Sequence, residues 1–179
     1  DIIVEDQGST IPCGEKVGRG AALVVGDSYD VYLRVHNNGC LPVSGVSGLV
    51  YSAVPSAPLG DLRAVNPSGD YEAPVTVPAG DVACIGPFAW TPTEEELDSA
   101  EDGHRCLLAA IDSSVAAGPS RDTMASWDVA AAANIAQRNL QIDKLSFMVR
   151  NPEDGPREAR LAIDLDGFET DWAGAYFDV

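Results

Sequence analysis

From Arg105 to Ile111 the chain reads Arg-Cys-Leu-Leu-Ala-Ala-Ile, a nearly unbroken apolar run between Gly103-His104 and Asp112. A run without polar alternation belongs to a strand covered on both faces, central in a sheet or sandwich. Whatever this chain folds into must bury that run, so its neighbours are read for the layers that cover it. Before it stands Trp90-Thr91-Pro92, a strand end. After it comes Asn134 to Leu140, expected as a polar corner.

Other segments carry the period of two that marks a half-buried strand. In Ser28 to His36, Tyr29, Val31, Leu33 and Val35 point one way while Asp30, Tyr32, Arg34 and His36 point the other. Asn37-Asn38-Gly39 then forms a turn, because Asn and Gly tolerate positive φ. Val43 to Val54 is a further strand, in which Gly45 and Gly48 mark a bulge or a close approach. Residues 55–74, rich in Pro, Ser, Gly, Ala and Asp, read as a long loop with one short edge strand near Val65. Pro87 inside Val82 to Trp90 predicts an edge strand or a bulge. Thr93-Glu94-Glu95-Glu96 has the form of a capping box and predicts one helical turn over 94–99, crossing between sheets. Ser126 to Gln137 is ambiguous between helix and strand. Ala159, Leu161, Ile163 and Leu165 alternate as a late strand before the Asp166-Gly167 hairpin turn. Several short strands with turn clusters between them and little helix indicate an all-β sandwich.

Composition then limits function. The chain has 179 residues, is 45% hydrophobic and carries a formal net charge of −17, with Lys16 and Lys144 its lysines. It therefore has material for a core and repels phosphate backbones and anionic membranes, which excludes nucleic acid as a partner. No run approaches the roughly 20 apolar residues of a membrane-spanning helix. Asp1 opens without a basic and apolar leader, so a signal peptide has been removed or the chain is part of a longer one. Cys13, Cys40, Cys84 and Cys106 contain no C-x-x-C pair, against a zinc ribbon or a redox dithiol. In an exported chain they form two disulfides. The expected pairs are Cys13–Cys40 and Cys84–Cys106, each closing a modest loop worth on the order of 3 kcal/mol. The alternative for Cys106 is a buried free thiol.

Several of these segments resemble a known family. Asp30-Val31-Tyr32-Leu33-Arg34-Val35-His36-Asn37-Asn38-Gly39 is similar to a strand and turn of CARDB-like domains, Ig-fold modules of bacterial and archaeal extracellular proteins. Val77-Pro78-Ala79-Gly80 with Phe88 to Pro92 resembles their later strand. Gly103 to Ala109 and Asn134 to Asn139 resemble the motifs that follow. The match spans roughly residues 28–140. It implies an Ig-like antiparallel β-sandwich over 1–140, with 141–179 adding strands to it or starting a second β unit. It also implies an extracellular or surface location, a role in adhesion or protein contact, and no catalytic motif.

Candidate sites are few. Gly45-Val46-Ser47-Gly48 is not the G-x-S-x-G of a hydrolase and lies in a strand. His36 and His104 are the two histidines, and His104 shares a strand face with Cys106 without an obvious third metal ligand. A corner role for His104, bonded to backbone or Asn, is the expectation. Asn134 and Asn139 are expected to satisfy loop amides and carbonyls, and Trp90 to pack in the core. Asp164, Asp166 and Glu169 are the candidates for binding calcium as a cofactor, but lack the EF-hand order; an Asp-Gly hairpin explains them. Glu94, Glu95, Glu96, Asp98, Glu101 and Asp102 form an acidic cluster, either another cation site or a solvated helix face. Trp127 and Trp172 are the candidates for an exposed carbohydrate contact. The sequence thus indicates a non-enzymatic module whose partners are other proteins or neighbouring domains. The alternatives are a carbohydrate- or calcium-binding accessory module, or a subunit of a homo-oligomeric extracellular assembly or virion.

Overall fold

The apolar run lies at the centre of the fold. A computed structural model of the chain describes residues 1–8, 23–54, 60–66, 68–98, 103–119 and 133–143. Within them the elements are β1 (Ile2–Asp6), β2 (Leu23–Val24), β3 (Tyr29–His36), β4 (Val43–Val54), β5 (Gly60–Ala64), β6 (Glu72–Val77), β7 (Val82–Trp90), α1 (Glu94–Asp98), β8 (His104–Asp112) and β9 (Ile135–Asp143). One antiparallel sheet has the order β1-β3-β7. The other has the order β2-β9-β8-β4-β5, with β6 also paired to β4. β8 is antiparallel to both neighbours, Leu107 lying opposite Ser52 on one side and Arg138 on the other. The chain is thus an all-β sandwich. Among the described residues, the short pairing of β2 with β9 is parallel.

The period of two explains what each face buries. Leu107 and Ala109 of β8, Val46 and Val50 of β4, and Leu140 and Ile142 of β9 meet Val31, Leu33, Ile85, Phe88 and Trp90 from the smaller sheet in one core. The opposite face of β4 and β8 is buried too: Leu49, Tyr51, Ala53, Cys106, Leu108 and Ala110 are at most 3% exposed. Leu62 and Tyr71 pack on Leu49 and Tyr51 there. This double covering is why β8 carries an unbroken apolar run rather than an alternating one.

The glycines of β4 do different work. Gly45 has φ 68° and sits at the register shift between Val43 and Val46, a bulge that needs a residue tolerant of positive φ. Gly48 faces the other sheet, where a Cβ would stand 2.7 Å from Leu33 Cδ1 and 3.1 Å from both Ile85 Cγ2 and Phe88 Cζ. Between the reaches of β5 and β6, Asn66 completes the edge of β4. Its Oδ1 accepts from the Val50 amide at 2.8 Å, and its Nδ2 donates to the Asp70 carbonyl at 2.8 Å.

The crossing between sheets is built as the capping box predicts. Thr93 Oγ1 accepts from the Glu96 amide at 3.2 Å, and Glu96 Oε2 accepts from the Thr93 amide at 3.0 Å. Glu96 is not part of a solvated acidic face, however. It is 3% exposed and its carboxylate lies 3.7 Å from the guanidinium of Arg105, which is 0% exposed.

Other expectations change. The 55–74 loop contains β5, and β6 begins at Glu72, so two strands stand where one near Val65 was expected; Val65 instead donates its amide to the Val50 carbonyl. Asn134 to Leu140 is not a corner. Ile135 onward is the strand beside β8, since the backbone of β8 needs a partner on that edge. Neither expected disulfide pair forms, because Cys40 and Cys106 are free thiols, whereas Cys84 is disulfide-bonded. Ile85 faces the core, so Cys84 beside it points outward from the smaller sheet, while Cys106 lies on the outer face of the larger one. With sheets packed about 10 Å apart, such a pair is beyond disulfide reach. Residues 144–179 lie outside the described residues, and so do Cys13 and Trp127.

Gly48 supplies a direct test of the sheet contact. Gly48→Val should destabilise the domain by roughly 1–3 kcal/mol through overpacking, seen as a lower urea midpoint at unchanged slope. A midpoint equal to wild type would mean the sheets do not meet there.

Candidate functional site

The two ends of the sandwich differ in chemistry. At the α1 end, Arg105 opens β8 with its side chain turned inward. Its Nε and Nη2 donate to Ser52 Oγ of β4 at 3.1 and 2.9 Å, and Nη1 reaches the Glu96 carbonyl at 3.5 Å. Every one of these contacts is between parts of the fold.

At the other end, where β3, β6 and β8 finish and β4 and β9 begin, lies a groove of ≈ 320 Å³. Its apolar lining includes Val35, Val43, Val46, Val77 and Ile111, and its polar rim includes His36 and Asn134. Two loops frame it. In the β3–β4 loop, Asn37 Nδ2 donates to the Leu41 carbonyl at 2.8 Å and the Val77 carbonyl at 3.2 Å, while its Oδ1 accepts from the Gly39 amide at 3.0 Å. After β8, Ser113 Oγ accepts from the Ala116 amide at 3.1 Å, and Asn134 Nδ2 donates to the Ala117 carbonyl at 3.0 Å. On these pinned loops stand Leu41 and Val115, 72% and 74% exposed, the exposed large hydrophobics among the described residues. An interaction surface held in place by its own hydrogen bonds has less ordering entropy to lose on binding.

The residues singled out in the sequence fall elsewhere. His36 is at the groove rim, with Nε2 4.0 Å from Asp1 Oδ2. His104 is exposed at the opposite end of β8, seven residues from Ile111, or about 23 Å at the rise of a strand. The two histidines therefore share no site. Cys106 Sγ donates to Asn139 Oδ1 at 3.0 Å, and Gln137 Nε2 donates to Cys106 Sγ at 3.3 Å and to Asn139 Oδ1 at 3.1 Å. Burial pushes the Cys106 thiol above its ordinary range, against smaller opposing pulls from the Gln137 amide and the Arg105 charge. A protonated, covered thiol is a hydrogen-bond donor, not a nucleophile. Asn139 thus bonds to β8 across the sheet, Asn134 bonds to a loop carbonyl, and Trp90 is 6% exposed in the main core. In the acidic cluster, Glu95 pairs with Arg63 at 2.7 Å. Asp164, Asp166, Glu169 and Trp172 lie outside the described residues. Among those described, no group of three or more His, Cys, Asp or Glu side chains is placed to hold a metal ion. No helix among them is long and apolar enough to cross a membrane.

Sequence reading missed the groove, because its floor is made of strand-end valines that individually look like core. The available signal was Leu41 and Val115, each a lone large apolar residue within a turn of small and polar ones.

No family model and no curated protein sequence matches the chain. Solved structures do match. The crystal structure of the CARDB domain of a Pyrococcus furiosus protein, in complex with di-metal ions, is 18% identical, covers 82% of this chain and 94% of its own, and has a TM-score of 0.41. The solution structure of that CARDB domain is 16% identical over 79% of this chain and 94% of its own, with a TM-score of 0.38. The C-terminal domain of wzt is 12% identical over 83% and 72%, with a TM-score of 0.41. Two of these structures are CARDB domains, the family that the sequence resembles.

The cysteine environments predict distinct reactivities. In native protein, a thiol reagent such as DTNB should modify Cys40 quickly and Cys106 only on unfolding, and Cys40→Ser should remove the fast phase. Fast labelling of Cys106 in the native state would contradict its buried, bonded position.

Proposed function

We propose that the chain is a non-enzymatic protein-interaction module that works outside the cell, in adhesion or in presenting neighbouring domains, and that it makes contact through the loop-end groove. Leu41 and Val115 carry this reading. Singly exposed apolar side chains are ordinary on protein surfaces, but Val115 lines a groove whose floor is also apolar, and Leu41 stands on the loop whose Asn37 and Asn38 line it. Apolar anchors in pockets, ringed by polar groups, are how interfaces concentrate their binding energy.

Two further observations support it. Three buried polar groups are committed to the fold: Arg105 and Glu96 to each other, and Cys106 to Asn139. The net charge of −17 with two lysines suits a surface kept soluble in an ionic, extracellular setting.

Site-specific photo-cross-linking on intact cells of the source organism tests the reading. A benzophenone side chain in place of Leu41 or Val115 should give a discrete adduct that protease added outside the cells degrades. The same group in place of exposed Asp98, at the α1 end, should give none. Equal adducts from all three positions, or adducts sheltered from external protease, would overturn the proposal.

A further inference from the structure

We infer that the segment seated in the loop-end groove is a cationic stretch of another protein with an apolar centre, an inference that rests on the interaction reading above. The groove floor of Val35, Val43, Val46, Val77 and Ile111 offers nothing to a charged group, so the part of the partner that enters must be aliphatic. The surroundings set the sign of what flanks it. Among the described residues at this end, Asp1, Asp81 and Asp112 supply carboxylates. Asp1 is bonded to Arg34 and lies near His36; Asp81 accepts from the Val82 amide; Asp112 accepts from the Gly118 amide. The guanidinium of Arg34, answered by the Asp1 carboxylate, and the Asp1 ammonium, which donates to the Arg34 carbonyl, stand against these three. The chain as a whole adds a field of net charge −17.

That field also decides between candidate occupants. A second copy would bring another −17 toward the first, and such repulsion falls only over a Debye length of about 8 Å at physiological salt. Self-association through the groove would therefore strengthen as salt is raised. A cationic partner is drawn in by the same field, and its binding weakens as salt is raised. The groove's ≈ 320 Å³ takes side-chain anchors rather than a domain, so the docked element is a short segment.

Fluorescence anisotropy on the full chain tests this with three labelled peptides. They share a valine-leucine-valine centre and are flanked on each side by two lysines, two serines or two glutamates. The lysine-flanked peptide should bind about tenfold tighter than the serine-flanked one at about 50 mM salt, with the ratio falling to about twofold near 0.5 M. The glutamate-flanked peptide should bind weakest. The double variant Leu41→Ser, Val115→Ser should lose binding of all three while keeping its urea midpoint. If serine- and lysine-flanked peptides bind equally and both depend on Leu41 and Val115, the groove docks protein and the cationic assignment is overturned. Lysine-flanked binding that survives the double variant is attraction to the surface at large and overturns the inference together with the groove. Sedimentation showing a dimer that tightens with salt overturns it in favour of a second copy.

Discussion

The fold depends on one buried charge. Arg105 is 0% exposed within an otherwise apolar layer, and removing a guanidinium from water costs several kcal/mol even after the protein relaxes. The cost is offset only because the surroundings supply hydrogen bonds from Ser52 of β4 and the Glu96 carbonyl of α1, and the Glu96 carboxylate as counter-charge. Glu96 is itself held by Thr93, whose backbone amide and hydroxyl both donate to its carboxylate. The chain leaves the smaller sheet at Trp90 and enters the larger one at His104. The helix between them is thus fastened to the strand it leads into. A second tie lies on the other flank, where Arg138 of β9 donates to the Ile2 carbonyl of β1 at 2.9 Å.

This arrangement makes the sandwich polar along its length. Its α1 end is closed by a charge pair that no partner can reach. The other end has no such plug: strand-end valines line an open groove, and the loops around it spend their polar side chains on their own backbone. Asn37, Ser113 and Asn134 hold the loops, and Leu41 and Val115 are the large apolar side chains those loops show to solvent. A rigid scaffold with binding residues on pinned loops is the common division of labour in β-sandwich modules.

Much of the architecture was legible in the sequence because it follows from local rules. The alternation in 29–36, the glycines of β4, Pro87 on an edge strand and the reciprocal capping of Thr93 and Glu96 each have a cause within a few residues. What escaped depends on distant partners. The pairing of Arg105 with Glu96 spans a helix and a turn, and an arginine opening an apolar run gives no sign of facing inward. β9 was hidden because Asn134, Gln137 and Asn139 look like a loop; they are polar where Cys106 and a loop carbonyl need partners. The cysteine pairs were drawn from loop length, whereas strand parity placed Cys84 and Cys106 on opposite outer faces. The groove is a property of where strands end together in space, which no single segment encodes.

The buried pair can be tested by a double-mutant cycle in urea with Arg105→Met and Glu96→Gln, the glutamine being able to keep its place in the capping box. The account predicts that Arg105→Met alone costs about 3–5 kcal/mol, because it strands a buried carboxylate. It also predicts that the double variant is more stable than the sum of the singles by at least about 1 kcal/mol. Strictly additive losses would contradict it, since Arg105 and Glu96 would then be buried near each other without depending on each other.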